Sequence, residues 1–461
     1  MLEPISPTLQ ALICDRPKAA YLHIPFCRRR CYYCDFPVAV VGDHARGENS
    51  GAIAQYVEVL CQEIELTVPD TASDTAISTQ PLETIFFGGG TPSLLSAAQL
   101  DRILQTLARQ FGIAADAEIS IEIDPGTFDL PQIQGYRAAG VNRVSLGVQA
   151  FQSELLTLCG RTHSVTDIYA AVELIHQAGM LNFSLDLISG LPHQTLDQWQ
   201  ASLEAAIAIA PKHLSSYDLI VEPVTAFGRQ YQPGDRPLPS DTAAAEMYRL
   251  AQQLLTAAGY DHYEVSNYAQ PGFQCRHNRV YWKNQPFYGF GMGAASYLQG
   301  DRFTRPRKTR EYYEWVATQK SDLASPQFTF DTTQISTAKI PDPTLPEHLQ
   351  QKPLTPHSSL LTPHFSPDLL LDTLMLGFRL AEGLSLVELA KQFGKPSLDK
   401  ICHCLQPHHE QSWVEVTGVE WEAIATLTPE TLPSEARIKL SDPEGFLFSN
   451  QVLADLFAEL E

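Results

Sequence analysis

The stretch Tyr21-Leu22-His23-Ile24-Pro25-Phe26-Cys27-Arg28-Arg29-Arg30-Cys31-Tyr32-Tyr33-Cys34 passes from a short apolar run straight into three cysteines. The run Ala19 to Ile24 reads as a buried strand. Three cysteines at this spacing can converge on one cubane cluster from a single loop, and thiolates are soft ligands suited to iron–sulfur chemistry. Three protein ligands on four irons leave one iron open, as catalytic metal sites keep an open position. A loop that follows a barrel strand also lies where barrel enzymes place their active sites. Buried thiols, or zinc with a distant fourth ligand, are the competing readings, although zinc usually takes paired C-x₂-C spacings.

Further short apolar, β-branched or aromatic runs read as strands: Thr84 to Phe87, Glu118 to Ile123, Arg143 to Val148, Asn182 to Ile188 and His213 to Ile220. Amphipathic helical patterns lie between most of them, including Ile53 to Leu66, Ala97 to Gln110, Val165 to Ala178 and Leu196 to Ile209. Successive strand–helix steps imply parallel strands joined by right-handed crossovers. A closed barrel takes eight such units, so six predict an α/β fold with an incomplete (β/α)6 barrel. Helix Thr242 to Ala258 follows, after a proline cluster at Pro233, Pro237 and Pro239.

The expected organisation is a partial barrel over 1–235, an aromatic-rich extension over 236–317, a mobile Pro/Ser/Thr-rich insertion over 318–367, and a helical C-terminal domain of winged-helix-like α+β character over 368–461.

The 461 residues carry a net charge of −21, so the chain as a whole repels long duplexes and anionic membranes. Two basic clusters, Arg28 to Arg30 and Arg302, Arg305, Arg307 and Lys308, are either local anion patches or solvated surface. No apolar run reaches the length of a transmembrane helix, and the first 20 residues lack the features of a secretion signal. Nine cysteines without such a signal predict reduced thiols in a cytoplasmic setting.

Polar groups recur at the ends of the expected strands. Gly88, Gly89 and Gly90 precede Thr91, and glycines there allow close backbone approach to a ligand and offer unblocked polar groups. Glu122, Asp124, Gln149, Arg161, His163 and Asp186 follow on later strands. Each is individually an ordinary loop or core residue, but together they form a polar ring at one barrel mouth, which favours a ligand.

With these motifs in place, the chain resembles the radical S-adenosylmethionine superfamily, in which the open iron binds the methionine moiety and reduction of the cluster yields a 5′-deoxyadenosyl radical. Tyr21 to Cys27, Phe87 to Ser93, Val144 to Gln149, Gly160 to His163, Asp186 to Pro192 and Leu376 to Arg379 are similar to one branch, the oxygen-independent coproporphyrinogen oxidases and the related heme chaperones. The resemblance implies a [4Fe-4S] cluster on Cys27, Cys31 and Cys34. It also implies S-adenosylmethionine contacts from Tyr21, Gly89, Gly90, Thr91, Glu122, Gln149, Arg161 and Asp186.

Two features separate the branch members. The oxidases carry a further cysteine two places after the third, where this chain has Phe36, and a longer N-terminal arm than the 20 residues before Tyr21. The stretch His277-Asn278-Arg279-Val280-Tyr281-Trp282 resembles a signature of the heme chaperones, which implies heme at His277. From residue types alone it reads rather as an Asn turn or cap with a buried Tyr and Trp as core, and it is the resemblance that favours heme. Cys402, His403, Cys404, His408 and His409 match no recognisable metal spacing and read as surface or core. Cys14, Cys61, Cys159 and Cys275 read as small buried hydrophobes.

The resemblance therefore implies a heme chaperone that delivers heme to acceptor hemoproteins, among them membrane-associated respiratory-chain proteins. It implies neither a nucleic-acid partner nor a catalytic residue, and it allows a homodimer. The alternative is oxidative decarboxylation of coproporphyrinogen III to protoporphyrinogen IX, and a radical methylase is a third reading.

Overall fold

The computed structural model describes residues 16–67, 80–298, 300–324 and 367–460. Most of the 318–367 stretch, and Cys14, lie outside the described residues.

Six parallel strands form the centre of one sheet: β1 (Ala19–Ile24), β2 (Leu82–Gly89), β3 (Ile113–Ile123), β4 (Arg143–Gln149), β5 (Phe183–Ser189) and β6 (His213–Asp218). Helices α1 (Gly51–Leu66), α2 (Ala97–Phe111), α3 (Leu130–Ala139), α4 (Val165–Gln177) and α5 (Leu196–Ile209) make the crossovers. The strands are apolar along most of their length because helices cover them, as parallel sheets require. Ser96 with Gln99, Ser164 with Asp167 and Thr195 with Gln198 form capping boxes, so α2, α4 and α5 start at sequence-encoded points. Gly140, in the left-handed region at φ 115°, ends α3.

Three strands from the following segment extend this sheet. After α6 (Asp241–Ala257), β7 (Asp261–Glu264) and β8 (Asn267–Ala269) continue it antiparallel beyond β6. Helix α7 (Arg276–Trp282) precedes β9 (Tyr288–Phe290), which pairs parallel with β1 on the other edge. The full order is β9-β1-β2-β3-β4-β5-β6-β8-β7, with the two edge strands unpaired to each other, so the barrel is incomplete. The six-strand reading held for the barrel itself, but the stretch Tyr260 to Tyr297, which shows few helical signals in sequence, contributes both sheet edges and α7.

Helix α8 (Thr309–Ala324) packs on α1. The second basic cluster is neither a patch nor wholly solvated surface. Arg305 is buried in an ion pair with Glu63 at 2.8 Å, and Tyr312 and the Gly291 N–H also donate to that carboxylate. Arg302 and Lys308 pair with Asp372 and Glu311.

The C-terminal part has its own core. Helices α9 (Pro367–Gly377), α10 (Leu386–Phe393), α11 (Lys395–Glu410) and α12 (Ser449–Leu460) surround a small antiparallel sheet. Its strands are β10 (Leu384–Ser385), β11 (Val414–Thr417) and β12 (Arg437–Leu440), in the order β10-β12-β11. This helix–strand–helix–helix–strand–strand run is winged-helix-like. Two of its histidines have partners: His408 Nε2 pairs with Asp455 at 3.1 Å, and His409 Nδ1 meets the Val414 carbonyl while its ring stacks on Trp421.

Candidate functional site

The cysteine loop leaves the C-terminal end of β1 and is held by backbone bonds to its neighbours. The Gly90 N–H donates to the Ile24 carbonyl at 2.9 Å, and the Thr91 N–H to the Phe26 carbonyl at 2.7 Å. A Cβ on Gly90 would lie 2.7 Å from the Phe26 carbonyl oxygen. A Cβ on Gly89, whose φ is 110°, would lie 2.5 Å from the His23 ring. These glycines thus let the β2 turn press against the cysteine loop. The sequence predicts unblocked N–H groups here, but the Gly89 N–H donates to Glu122 Oε2 at 3.0 Å and the Gly90 N–H to the Ile24 carbonyl at 2.9 Å.

Each of the three sulfurs has its own donor. Thr91 Oγ1 lies 3.7 Å from Cys27 Sγ, Arg161 Nη1 lies 3.4 Å from Cys31 Sγ, and the Phe36 N–H bonds to Cys34. Such bonds stabilise thiolate ligands and tune a cluster's potential. Burial pushes the Cys27 thiol up to about 12 and raises Cys34, so without a metal these thiols hold their protons and metal binding must displace them. Three cysteine thiols on one loop, each with its own hydrogen-bond donor, are a soft ligand set of the kind that iron–sulfur clusters take.

The polar ring is assembled from the ends of β2, β3 and β4, the turn that carries Arg161, and the middle of β5. Asp124, after β3, accepts from Thr91 at 3.2 Å and from Arg161 at 2.5 Å. Arg161 is buried and also reaches the Gly147 carbonyl at 3.0 Å, while its Nε has no partner among the described residues. Gln149 follows a register shift in β4 and adopts φ 69°, a strained value for a residue with a side chain. Glu122 is half-buried, and desolvation together with Asp186 pushes its carboxyl up to about 8. Asp186 is also raised by burial, and it accepts Ser145 Oγ through both oxygens at 2.9 Å. Tyr21 lies behind the loop with its hydroxyl 3.1 Å from His23 Nδ1, whose other nitrogen meets the Pro37 carbonyl at 3.0 Å. The residues expected at the mouth are therefore brought together, except that Tyr21 engages the site through His23. Sequence reasoning passed over His23, although it alternates with Tyr21 on the same strand face.

His277 is elsewhere. Helix α7 sits at the N-terminal end of the strands, opposite the cysteine loop. Its first turn is capped by Glu118 of β3, which accepts the Arg276 and His277 N–H groups at 3.1 Å each. The His277 ring is 1% exposed; Nδ1 bonds Thr84 Oγ1 at 2.9 Å and Nε2 bonds the Tyr281 hydroxyl at 2.8 Å. Burial lowers its pKa to about 3, so the ring is neutral. Phe86 stacks on it with centroids 5.3 Å apart. Iron ligation by His277 would require one of these two hydrogen bonds to break.

Comparison with known proteins agrees with the geometry. The radical SAM superfamily domain matches residues 21–206. The heme chaperone HemW of Synechocystis is 44% identical over 445 residues, covering 96% of this chain and 97% of that protein. The chain belongs to the HemW family. HemW of Escherichia coli is 40% identical over 64% of this chain and 74% of its own length. Coproporphyrinogen III oxidase (HemN) from Escherichia coli, described as a radical SAM enzyme, has the same fold with TM-score 0.70 over 97% of this chain and 92% of its own, at 22% identity. Membership of the radical SAM superfamily implies a [4Fe-4S] cluster and S-adenosylmethionine. Among the described residues no helix is long and apolar enough to cross a membrane.

Proposed function

We propose that this protein is a heme chaperone that carries a [4Fe-4S] cluster on Cys27, Cys31 and Cys34, binds heme, and passes it to acceptor hemoproteins in the cytoplasm or at the membrane face. The observation that carries this reading is the 44% identity to a HemW protein across 96% of the chain. Phe36 supports it, standing where the oxidases place a further cysteine, with 55% of its surface exposed.

In this reading Arg161 and Asp124 orient the cofactor at the mouth. Arg161 is already neutralised on one side by Asp124, and its unpartnered Nε is a donor suited to a carboxylate of the methionine moiety. Tyr21, Gly89, Gly90, Thr91, Gln149 and Asp186 complete the cradle, and Glu122 holds the glycine turn in place. A bound cluster supplies an open coordination position and a one-electron reductant. The protein's residues hold the site, exclude water and tune the sulfurs. The neutral, doubly bonded His277 serves in this reading as part of the barrel floor unless heme displaces Thr84 or Tyr281 from its ring.

The test is an anaerobic assay of reconstituted protein with S-adenosylmethionine, reductant and coproporphyrinogen III, beside a heme titration of the same sample. Saturable heme binding without protoporphyrinogen IX is expected. Steady decarboxylation would make the protein an oxidase.

A further inference from the structure

The outer face of α7 lines a pocket of about 250 Å³ at the N-terminal end of β1 and β2. Five cations stand in its wall, Arg16, Lys18, Arg276, Arg279 and Lys283, against a single lining carboxylate, Glu83. In a chain of net charge −21 this gathering of positive charge is out of keeping with the bulk surface. The barrel floor ordinarily contributes stability rather than ligand contacts.

The cations are not all committed. Arg279 is locked by Glu382, with both carboxylate oxygens at 2.7 Å from Nη2, and it anchors the C-terminal part. Arg276 and Lys283 are held loosely. Arg276 reaches the Asp116 carboxylate only at 4.0 Å, though it bonds the Asp116 carbonyl at 2.7 Å, and Lys283 reaches Glu382 only at 3.9 Å. Lys18 and Glu83 form a half-exposed surface pair at 3.1 Å, which costs little to exchange for a ligand. Val280 and Pro286 give the wall an apolar side. Thr84, whose hydroxyl bonds His277 Nδ1, forms part of the same wall, so the buried histidine lies one side chain behind it.

We propose that this pocket is the docking site for the two propionate carboxylates of heme, with Arg276, Lys283 and Lys18 as the recognising cations. The inference rests on the heme-chaperone reading and adds where the ligand's charged edge is held. A cationic pocket with one apolar wall matches a ligand that has two carboxylates on one edge of a flat hydrophobic body. The site lies at the far end of β1 from the cysteine loop, so heme and cluster occupy opposite ends of the barrel.

The experiment is a pair of titrations on the full chain with the cluster reconstituted, one with hemin and one with its dimethyl ester, in which both carboxylates are blocked. They are run on the wild type and on Arg276→Gln/Lys283→Gln, with iron content and denaturation midpoint confirming that both are folded. The wild type should bind hemin about tenfold or more tighter than the ester, and the variant should bind both at the weaker value, because the lost bonds are the same ones. Equal hemin affinity in variant and wild type, or equal affinity of the wild type for hemin and ester, would overturn the proposal while leaving a heme-binding protein. Full competition by millimolar inorganic phosphate together with no preference for hemin over ester would assign the pocket to phosphate instead. No hemin binding by the wild type would instead defeat the heme-chaperone reading itself.

Discussion

The two ends of strand β1 differ in what their polar groups do. At the cysteine end Arg161 keeps a buried Nε without a partner among the described residues, half-buried Glu122 lies close to Asp186, and Gln149 holds a strained backbone. At the other end Glu118 accepts two N–H groups and lies 3.6 Å from the Cys275 thiol, and His277 has both nitrogens bonded, although Arg143 Nε and Trp282 Nε1 have no partner among the described residues. Strain in the backbone is found at the cysteine end, whereas Glu118 and His277 join α7 to the strands and hold the floor together. A histidine in a chaperone-like motif can thus be architecture on its inner side while its helix offers a binding surface on its outer side.

The largest expected effect lies at the cysteine end. Replacing Cys27, Cys31 and Cys34 by Ser should abolish cluster formation, read as iron bound after anaerobic reconstitution. Uptake of four irons by the triple variant would show that other cysteines serve. At the floor, Glu118→Ala leaves buried Arg143 beside an emptied site and uncaps α7. We expect a loss of about 3–5 kcal/mol in denaturant unfolding with the cluster signal of the surviving folded protein intact. A loss below about 1 kcal/mol would mean that Glu118 does not hold the floor together as described.

Glu122 sharpens the contrast through pH. Its folded pKa, about 8, lies above the ordinary carboxyl value of 4.5. The stability it contributes is therefore full below about pH 4.5 and is lost as pH rises through about 8. Glu122→Gln should remove that part of the pH dependence, on the order of 3 kcal/mol between about pH 5 and pH 9. Parallel stability–pH curves for the two proteins would contradict the assignment. The smallest effect is expected for His277→Ala. It should cost about 1–3 kcal/mol of stability through two lost hydrogen bonds and change heme affinity by less than the Arg276/Lys283 double variant does. A larger loss of heme affinity than in that variant would make His277 the iron ligand.

What could be read in the sequence follows from the range of the forces involved. The central strands and the helices between them announce themselves through local periodicity and caps, and all six strands lie within a few residues of their expected positions, β3 alone starting five residues early. The cysteine loop and much of its polar ring were legible because Thr91, Asp124 and Gln149 lie at or just after strand ends, and topology alone brings strand ends together. The floor was not. Helix α7 has only seven residues, and Glu118, which caps it, lies 158 and 159 residues away in sequence. Strands β7, β8 and β9 have three or four residues each and owe their existence to the sheet edges they join. Arg305 looked like one of a surface cluster because nothing local reveals Glu63, 242 residues away.

The central claim is tested most directly by handover. Heme-loaded, cluster-reconstituted protein is mixed anaerobically with an apo-hemoprotein, and the acceptor's heme absorption is followed with time. The account predicts that heme leaves this protein and appears on the acceptor faster than free hemin would supply it, with no porphyrinogen turned over. Heme retained indefinitely, or transferred no faster than its spontaneous release, would contradict it.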